Sequence, residues 1–212
     1  MRRVTIVLAA GLALLAVAIG LTLLHSPMVL ARKNGTPVAE QRIATTRQSV
    51  SYCQAHELLP RGTSAIRLSL GAGTGPRVSV SVSAAGHVVT TGTQGSGWTG
   101  RVVTVPVAPL SRTVSDATVC ASLTPRDENL IVFGETTPPA IAASNGGQRL
   151  AGRMWIEYLR PGSSSWASQA LSVARRMGLG RALAGTWNAL LVAELLAAIA
   201  ILTSTLVLRE LR

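Results

Sequence analysis

The sequence predicts an all-β domain, a β-sandwich, held between two apolar segments near the ends of the chain. Short stretches of alternating apolar and polar residues fill the middle, long apolar runs lie near both ends, and both cysteines fall in the middle. Charged residues make up only 14% of the chain, against about 25% in an ordinary soluble domain. We therefore expect an exported sandwich flanked by N-terminal and C-terminal transmembrane helices.

Five divisions of the chain follow from this pattern. They are an N-terminal transmembrane helix or signal anchor at residues 1–31, a polar lead-in at 32–62, the sandwich at 63–162, a juxtamembrane amphipathic helix at 163–185 and a C-terminal transmembrane helix at 186–212.

The N-terminal apolar run extends from Val4 to Leu24 without a charge. At 1.5 Å per residue its helix would be about 31 Å long, close to the thickness of a bilayer's hydrocarbon core. Arg2 and Arg3 precede it, which favours a cytoplasmic start. The run with Val29-Leu30-Ala31 behind it also suits a cleaved signal peptide, so both a retained and a cleaved segment stay open. Either alternative exports the domain that follows, with both termini inside if the helix is retained.

The C-terminal apolar run extends from Trp187 to Leu208 and contains one acidic residue, Glu194. A tryptophan at the start of such a run is typical of a membrane interface. A charge near the bilayer centre costs about 3 kcal/mol, and intramembrane acids often mark a partner contact. We therefore expect Glu194 to contact another integral membrane protein, with a protonated or snorkelling side chain as the alternative.

Seven segments in the middle of the chain have the alternation or the β-branched composition of strands. They are residues 65–70, 77–83, 87–90, 101–105, 117–123, 129–133 and 152–159. Period-2 alternation buries one face of each strand, and two such faces packed together form a core. This favours a jelly-roll or immunoglobulin-like sandwich. Gly71 to Pro76 predicts a hairpin turn between two of the strands. Residues 33–62 show only weak helical periodicity and are expected to precede the sandwich.

Cys53 and Cys120 are the only cysteines of the chain. In an exported domain two cysteines are expected to form a disulfide, here between the lead-in and a core strand. Two separately buried thiols are the alternative.

The sequence contains no motif that predicts catalysis. It has no G-x-S-x-G, no H-E-x-x-H and no P-loop lysine motif, and His56-Glu57 is only a fragment of the second. Without Cys-x-x-Cys, and with scattered histidines, no metal site is predicted. We expect a non-enzymatic protein with no catalytic residues and no cofactor.

The formal net charge of +11 calls for an anionic partner. The arginines of the chain are scattered, without a basic helix or an aromatic ladder. We therefore expect no nucleic-acid partner and favour lipid headgroups or an acidic glycan as the anionic partner. Trp98, in the glycine-rich loop Gln94 to Gly100, is the candidate ligand-binding residue because a tryptophan face can stack on a sugar ring. The alternative is that Trp98 folds back onto the core.

The segment from Trp166 to Leu183 has helical apolar spacing and several arginines but no acidic residue. We expect Trp166, Arg175, Arg176 and Arg181 to contact the membrane surface through anionic headgroups. The alternative is a linker helix packed on the domain.

The stretch Gly152 to Gly162, together with Val173 to Gly180, resembles uncharacterised two-helix, membrane-anchored envelope proteins of high-GC bacteria. The resemblance implies a membrane-anchored envelope protein and no particular activity. We expect the sandwich to bind a partner, a cell-envelope glycan or a glycan-handling complex. The alternative is an accessory or structural subunit of a membrane transporter or glycosyltransferase without a ligand of its own.

Overall fold

A computed structural model describes residues 2–35, 41–125 and 129–169, together with positions 194, 197, 200 and 209. The chain divides into two compact units. One is Met28–Pro161, and the other combines Met1–Pro27 with Gly162–Arg212.

The first unit is built from β-strands, and the second contains the N-terminal helix α1 at Arg2–Leu24. The strands are β1 (Met28–Lys33), β2 (Gln41–Thr46), β3 (Val50–Leu59), β4 (Ala65–Gly71), β5 (Arg77–Ala84), β6 (His87–Gln94), β7 (Val102–Pro106), β8 (Val114–Thr124), β9 (Leu130–Thr136), β10 (Ser144–Asn145), β11 (Gln148–Arg149), β12 (Gly152–Met154) and β13 (Ile156–Pro161). A single 3-10 turn at Pro139–Ile141 lies between β9 and β10.

Within the described residues, seven strands form one sheet and six form the other, and every pairing is antiparallel. The first sheet has the order β1-β13-β4-β9-β12, with β7 also paired to β4 and β2 to β9. The second has the order β11-β10-β3-β8-β5-β6. The predicted all-β sandwich is confirmed. The hairpin expected at Gly71 to Pro76 is wrong, because this loop joins β4 of one sheet to β5 of the other.

Alternation along the strands places the core between the sheets. In β5, Val78, Val80 and Val82 are buried, while the serines between them lie on the outer face. Inward-pointing side chains of the other strands join these valines in one continuous core cluster. Its larger members include Leu59, Ile66, Leu68, Leu70, Leu123, Leu130, Ile156 and Tyr158.

Strands β3 and β8 depart from alternation at two β-bulges that face each other. His56 has φ of 60° and Asp116 has φ of 52°, so both residues adopt the left-handed conformation that residues other than glycine seldom take. The bulge at His56 changes the phase of β3, so that Gln54 and Glu57 both point inward although they are three residues apart. One acidic side chain is thereby buried between the sheets.

The lead-in expected at residues 32–62 is not a separate segment. It contains the end of β1 and the whole of β2 and β3, so the sandwich begins at Met28 rather than at Thr63. The bulge at His56 interrupts the alternation of β3, and two of its inward side chains are the polar Gln54 and Glu57. Both features hide the strand from a search for alternating apolar residues.

Helix α1 has exposed side chains on all sides over the part where they are described, from Ala10 to Leu24. Its exposed large apolar residues include Leu12, Leu14, Val17 and Leu21. None of the helices among the described residues combines the length and apolar composition that a membrane span requires. The two flanking transmembrane helices therefore stay predictions, and most of the second one lies outside the described residues.

Candidate functional site

Both exits of the chain from the sandwich lie at the same end. Met28, the first residue of β1, lies opposite Pro161, the last residue of β13. The backbone nitrogen of Ser64 donates to the carbonyl of Leu159 at 2.8 Å, and that of Gly62 donates to Leu110 at 2.8 Å. We call this part of the sandwich the tether end and define it as Met28 with residues 60–64, 107–113 and 159–161.

The two segments that continue from the sandwich are hydrogen-bonded to each other in the second unit. Gly162 donates its backbone N–H to the carbonyl of Pro27 at 2.7 Å, and Trp166 donates to His25 at 3.2 Å. A helical turn begins at Trp166, whose side chain is half exposed. The segments that precede and follow the sandwich therefore leave it side by side.

The opposite end of the sandwich carries four loops that contain no chain terminus. Register places them together: Arg77 lies opposite Thr124, Val78 opposite Gln94, and Val50 opposite Leu123. We call this the distal end and define it as the loops at residues 47–49, 72–76 and 95–101, with residues 125 and 129 of the fourth loop. Residues 126–128 lie outside the described residues.

Trp98 belongs to the loop at 95–101 and connects it to the loop at 72–76. Its backbone carbonyl accepts a 2.8 Å hydrogen bond from Gly75, and its indole Nε1 donates a 2.7 Å bond to the carbonyl of Pro76. A Cβ on Gly75 would come within 2.0 Å of the indole, so only glycine fits beneath the ring. The ring is half-buried and packs against the core cluster. Trp98 thus holds two loops together and packs on the core, while the residue stays partly exposed.

Three arginines surround this region: Arg47, Arg77 and Arg101, all exposed. Arg47 Nε donates to Asn129 Oδ1 at 2.8 Å, which ties two distal loops together. The guanidinium carbon of Arg101 lies 5.3 Å from the centroid of the Phe133 ring, within cation–π range. The distal end therefore offers cations held in place by neighbours beside an aromatic side chain, an arrangement suited to an anionic or hydroxyl-rich ligand.

The most extensive polar cluster lies inside the sandwich, around Glu57, which is 1% exposed. Oε1 accepts hydrogen bonds from Asn34 Nδ2 and Arg153 Nη2, each at 2.8 Å, and Oε2 accepts one from the Tyr158 hydroxyl at 2.6 Å. Burial, and then the charge of Glu57, raises the pKa of Tyr158 well above its usual value. The cluster is shielded from solvent and joins both sheets, which makes it a structural element rather than an open site.

The other described ion pairs are separate from this cluster. Asp116 Oδ1 lies 2.7 Å from Nδ1 of His56 on the surface, and Glu157 Oε2 lies 3.1 Å from Arg67 Nη1 on the outer face of the first sheet. Among the described residues no group of three or more His, Cys, Asp or Glu side chains could hold a metal ion. Each of these carboxylates is engaged with a different basic side chain.

The predicted disulfide is confirmed. Cys53 of β3 lies directly opposite Cys120 of β8, and their sulfurs are bonded. Both cysteines lie on the outer face of the second sheet, where their burial is intermediate, between rows of serines and threonines. The bridge joins two neighbouring strands of one sheet.

The remaining predicted site residues are Arg175, Arg176, Arg181 and Glu194. Arg175, Arg176 and Arg181 fall outside the described residues, as does the amphipathic helix beyond position 169. Glu194 is helical and exposed. The sequence does not predict the Glu57 cluster, because His56-Glu57 resembles only a fragment of the H-E-x-x-H motif. Its one signal was two polar residues, Gln54 and Glu57, in a segment that also holds Tyr52 and Leu59.

Comparison of the chain with protein-family models, with curated proteins and with solved structures finds no match. Function is therefore inferred from the geometry of the sandwich and from the two segments that leave its tether end.

Proposed function

We propose that the chain is a non-enzymatic, membrane-anchored envelope protein whose exported sandwich binds a partner at its distal end. One observation carries the proposal: the pairing of Met28 with Pro161 sends both chain exits out of a single end of the sandwich. Two anchors that leave one end can enter one membrane. The four distal loops would then project away from that membrane, where rigid sheets present them to a partner.

Membrane attachment is supported by the segments on either side of the sandwich. Val4 to Leu24 is uncharged, and the described side chains of this helix, apolar except for Thr22, are exposed around its circumference. A helix that is apolar on all sides needs an apolar surrounding. The second anchor is the run from Trp187 to Leu208. The disulfide between Cys53 and Cys120 fits an oxidising compartment outside the cytoplasm.

The chemistry of the distal end favours a cell-envelope glycan as the partner. Exposed Arg47, Arg77 and Arg101 match acidic groups, and the partly exposed indole of Trp98 would offer an apolar surface to a sugar ring. The carboxylates of Glu57, Asp116 and Glu157 are each engaged with a basic side chain, which favours a binding protein over a glycosidase.

The test is a screen of the full chain in mild detergent against immobilised acidic and neutral bacterial polysaccharides. Gly75→Ala displaces the Trp98 indole, because its Cβ would overlap the ring, and Gly95→Ala is the matched control because nothing lies within 4 Å of a Cβ there. We expect binding to an acidic polysaccharide that Gly95→Ala keeps and Gly75→Ala weakens about tenfold, the loss of one aromatic contact of about 1.5 kcal/mol.

A folded Gly75→Ala variant that binds as well as the unchanged chain would remove Trp98 from the site. Absence of binding to every polysaccharide would overturn the glycan proposal.

A second candidate function is an accessory subunit of a membrane transporter or glycosyltransferase. The observations in its favour are that the indole N–H of Trp98 is already bonded to Pro76, and that Glu194 is exposed on a helix. The test is co-purification from membranes of the unchanged chain and of Glu194→Ala, with bound proteins identified by mass spectrometry. A membrane protein that is lost with Glu194→Ala supports this function, and an identical set of proteins in both preparations rejects it.

A further inference from the structure

The tether end has a one-sided charge. Its two loops and two strand ends contain Arg61, Arg112 and Arg160, all exposed, and no Asp or Glu. The acidic side chains within three residues of these segments are Glu57, Asp116 and Glu157, and each is paired with a basic side chain elsewhere: Arg153, His56 and Arg67 respectively. Within the part of the chain that the structure describes, no ion pair engages Arg61, Arg112 or Arg160. This end of the sandwich therefore presents positive charge carried by arginines, whose planar guanidinium groups suit phosphate oxygens.

Aliphatic side chains are exposed at the same end. Met28 and Leu30 lie two residues apart on the edge strand β1, and their side chains are 40% and 50% exposed. Val88 and Val89 follow the β5–β6 hairpin turn and are 66% and 39% exposed. Ser83 pairs with both Val88 and Thr118, which places this hairpin beside the start of β8 and so at the tether end. Exposed aliphatic side chains beside arginines are typical of surfaces that rest on a lipid headgroup layer.

We propose that the tether end is a lipid-binding face: its arginines bind anionic headgroups, and its exposed aliphatic side chains enter the boundary between headgroups and acyl chains. The inference rests on the proposed membrane anchoring and names a second contact with the same membrane. Only His25, Ser26 and Pro27 separate α1 from β1, and four residue steps span at most about 14 Å. A bilayer that holds α1 is thus within reach of Met28, which favours lipid over a soluble partner as the occupant.

The inference predicts that the tether end contacts the surface of anionic membranes and does not contact that of neutral ones. The test uses the full chain reconstituted into vesicles of phosphatidylcholine alone and into vesicles of mixed phosphatidylcholine and phosphatidylglycerol. A fluorophore is attached at Ser111→Cys in the tether end, or at Ser96→Cys in the distal end, both exposed positions. Quenching by lipids with a nitroxide in the headgroup reports contact with the surface.

We expect the label at position 111 to be quenched in the mixed vesicles, much less in phosphatidylcholine, and the label at 96 in neither. Arg61→Gln with Arg112→Gln should shift the ratio of docked to free sandwich about 30-fold, at about 1 kcal/mol for each arginine near an anionic surface. Arg47→Gln with Arg77→Gln removes the same charge from the distal end and should leave the quenching unchanged.

Flotation of the vesicles separates this inference from the proposed function. If the protein floats with both kinds of vesicle but the label at 111 is quenched equally in both, or in neither, the lipid-binding face is wrong and the anchoring stands. If the protein floats with neither, the anchoring is wrong and the lipid-binding face falls with it. Equal loss of quenching in the two double variants would show a general effect of net charge and would also overturn the inference.

Discussion

The hydroxyl of Tyr158 donates a 2.6 Å hydrogen bond to Oε2 of Glu57, a carboxylate that is 1% exposed between the two sheets. The other carboxylate oxygen accepts from Asn34, just past β1, and from Arg153 in β12. Glu57 lies on β3 of the second sheet, while its three donors belong to the first sheet or follow its edge strand. The cluster therefore links the strand that leads out of α1 to the core of the sandwich.

Removing the charge of Glu57 should destabilise the sandwich. Glu57→Gln leaves the Arg153 guanidinium, which is only 25% exposed, without its counterion. Breaking a buried pair by removing one partner costs 3–5 kcal/mol, and the partial exposure of Arg153 places the expected loss near about 3 kcal/mol. The measurement is urea unfolding of the full chain in mild detergent, followed by near-ultraviolet circular dichroism.

Glu157→Gln is the matched control for this change. Its partner Arg67 is 36% exposed, and an ion pair near the surface contributes at most about 1 kcal/mol. Equal losses in the two variants would mean that the buried cluster contributes no more than a surface pair.

Tyr158 should make the fold sensitive to alkaline pH. Burial, and then the neighbouring carboxylate of Glu57, raises the pKa of Tyr158 well above the ordinary tyrosine value of about 10. The folded state thus keeps its phenol proton at a pH where the unfolded chain has lost it. This contribution is complete below about pH 10 and decreases as the pH rises towards the folded-state pKa. Tyr158→Phe should be about 2 kcal/mol less stable at neutral pH, because it loses a bond to a charged acceptor.

The sign of this effect is tested by unfolding the two proteins at a series of pH values above 10. The unchanged chain should lose stability more steeply than Tyr158→Phe, so that the two curves approach each other. Parallel curves would show that Tyr158 ionises equally in the folded and unfolded states, contrary to the shift expected from its burial.

The strands that the sequence predicted are those whose alternation is unbroken. β5 alternates valine and serine over its whole length, and each valine is buried. Strand β3 could not be predicted from alternation for a physical reason. The left-handed backbone at His56 shifts the inward–outward alternation of its side chains, and the next inward side chain is the carboxylate of Glu57. Burial of that carboxylate depends on Arg153 and Tyr158, roughly a hundred residues away, which no local pattern contains.

The two ends of the sandwich depend on pairing between distant segments, which local patterns do not reveal. Nothing in the sequence near Met28 indicates that it pairs with Pro161. The clustering of Arg61 and Arg160 at one end likewise follows from strand order. By contrast, the disulfide could be predicted because composition left one partner for each cysteine. The glycine-rich loop makes Trp98 a candidate binding residue, but no local pattern predicts the close approach of Gly75 beneath its ring.

The disulfide should stabilise the sandwich through the unfolded state. Cys53 and Cys120 are separated by 67 positions, and closing a loop of that length is worth about 4 kcal/mol in the chain-entropy model. Replacing both cysteines by serine should lower the free energy of unfolding by about that amount. Ser51→Ala with Ser122→Ala, the adjacent row on the same two strands, should change it by well under 1 kcal/mol, because the two hydroxyls face the surface. If Ser51→Ala with Ser122→Ala lowered the free energy of unfolding as much as replacing both cysteines, the entropic account would be contradicted.

The β5–β6 hairpin offers a substitution that should stabilise the protein. Ala85 and Gly86 form a two-residue turn between Ala84 and His87, with φ of 49° and 78°, as in a type I′ turn. The left-handed conformation costs an alanine about 1 kcal/mol, whereas asparagine adopts it readily. Ala85→Asn should therefore raise the free energy of unfolding by about 1 kcal/mol. Gly86→Ala should lower it by a similar amount, although nothing lies within 4 Å of the new methyl group. The measurement is thermal unfolding of both variants and of the unchanged chain. Shifts of the unfolding temperature in opposite directions support the turn geometry, and a lower unfolding temperature for Ala85→Asn would rule it out.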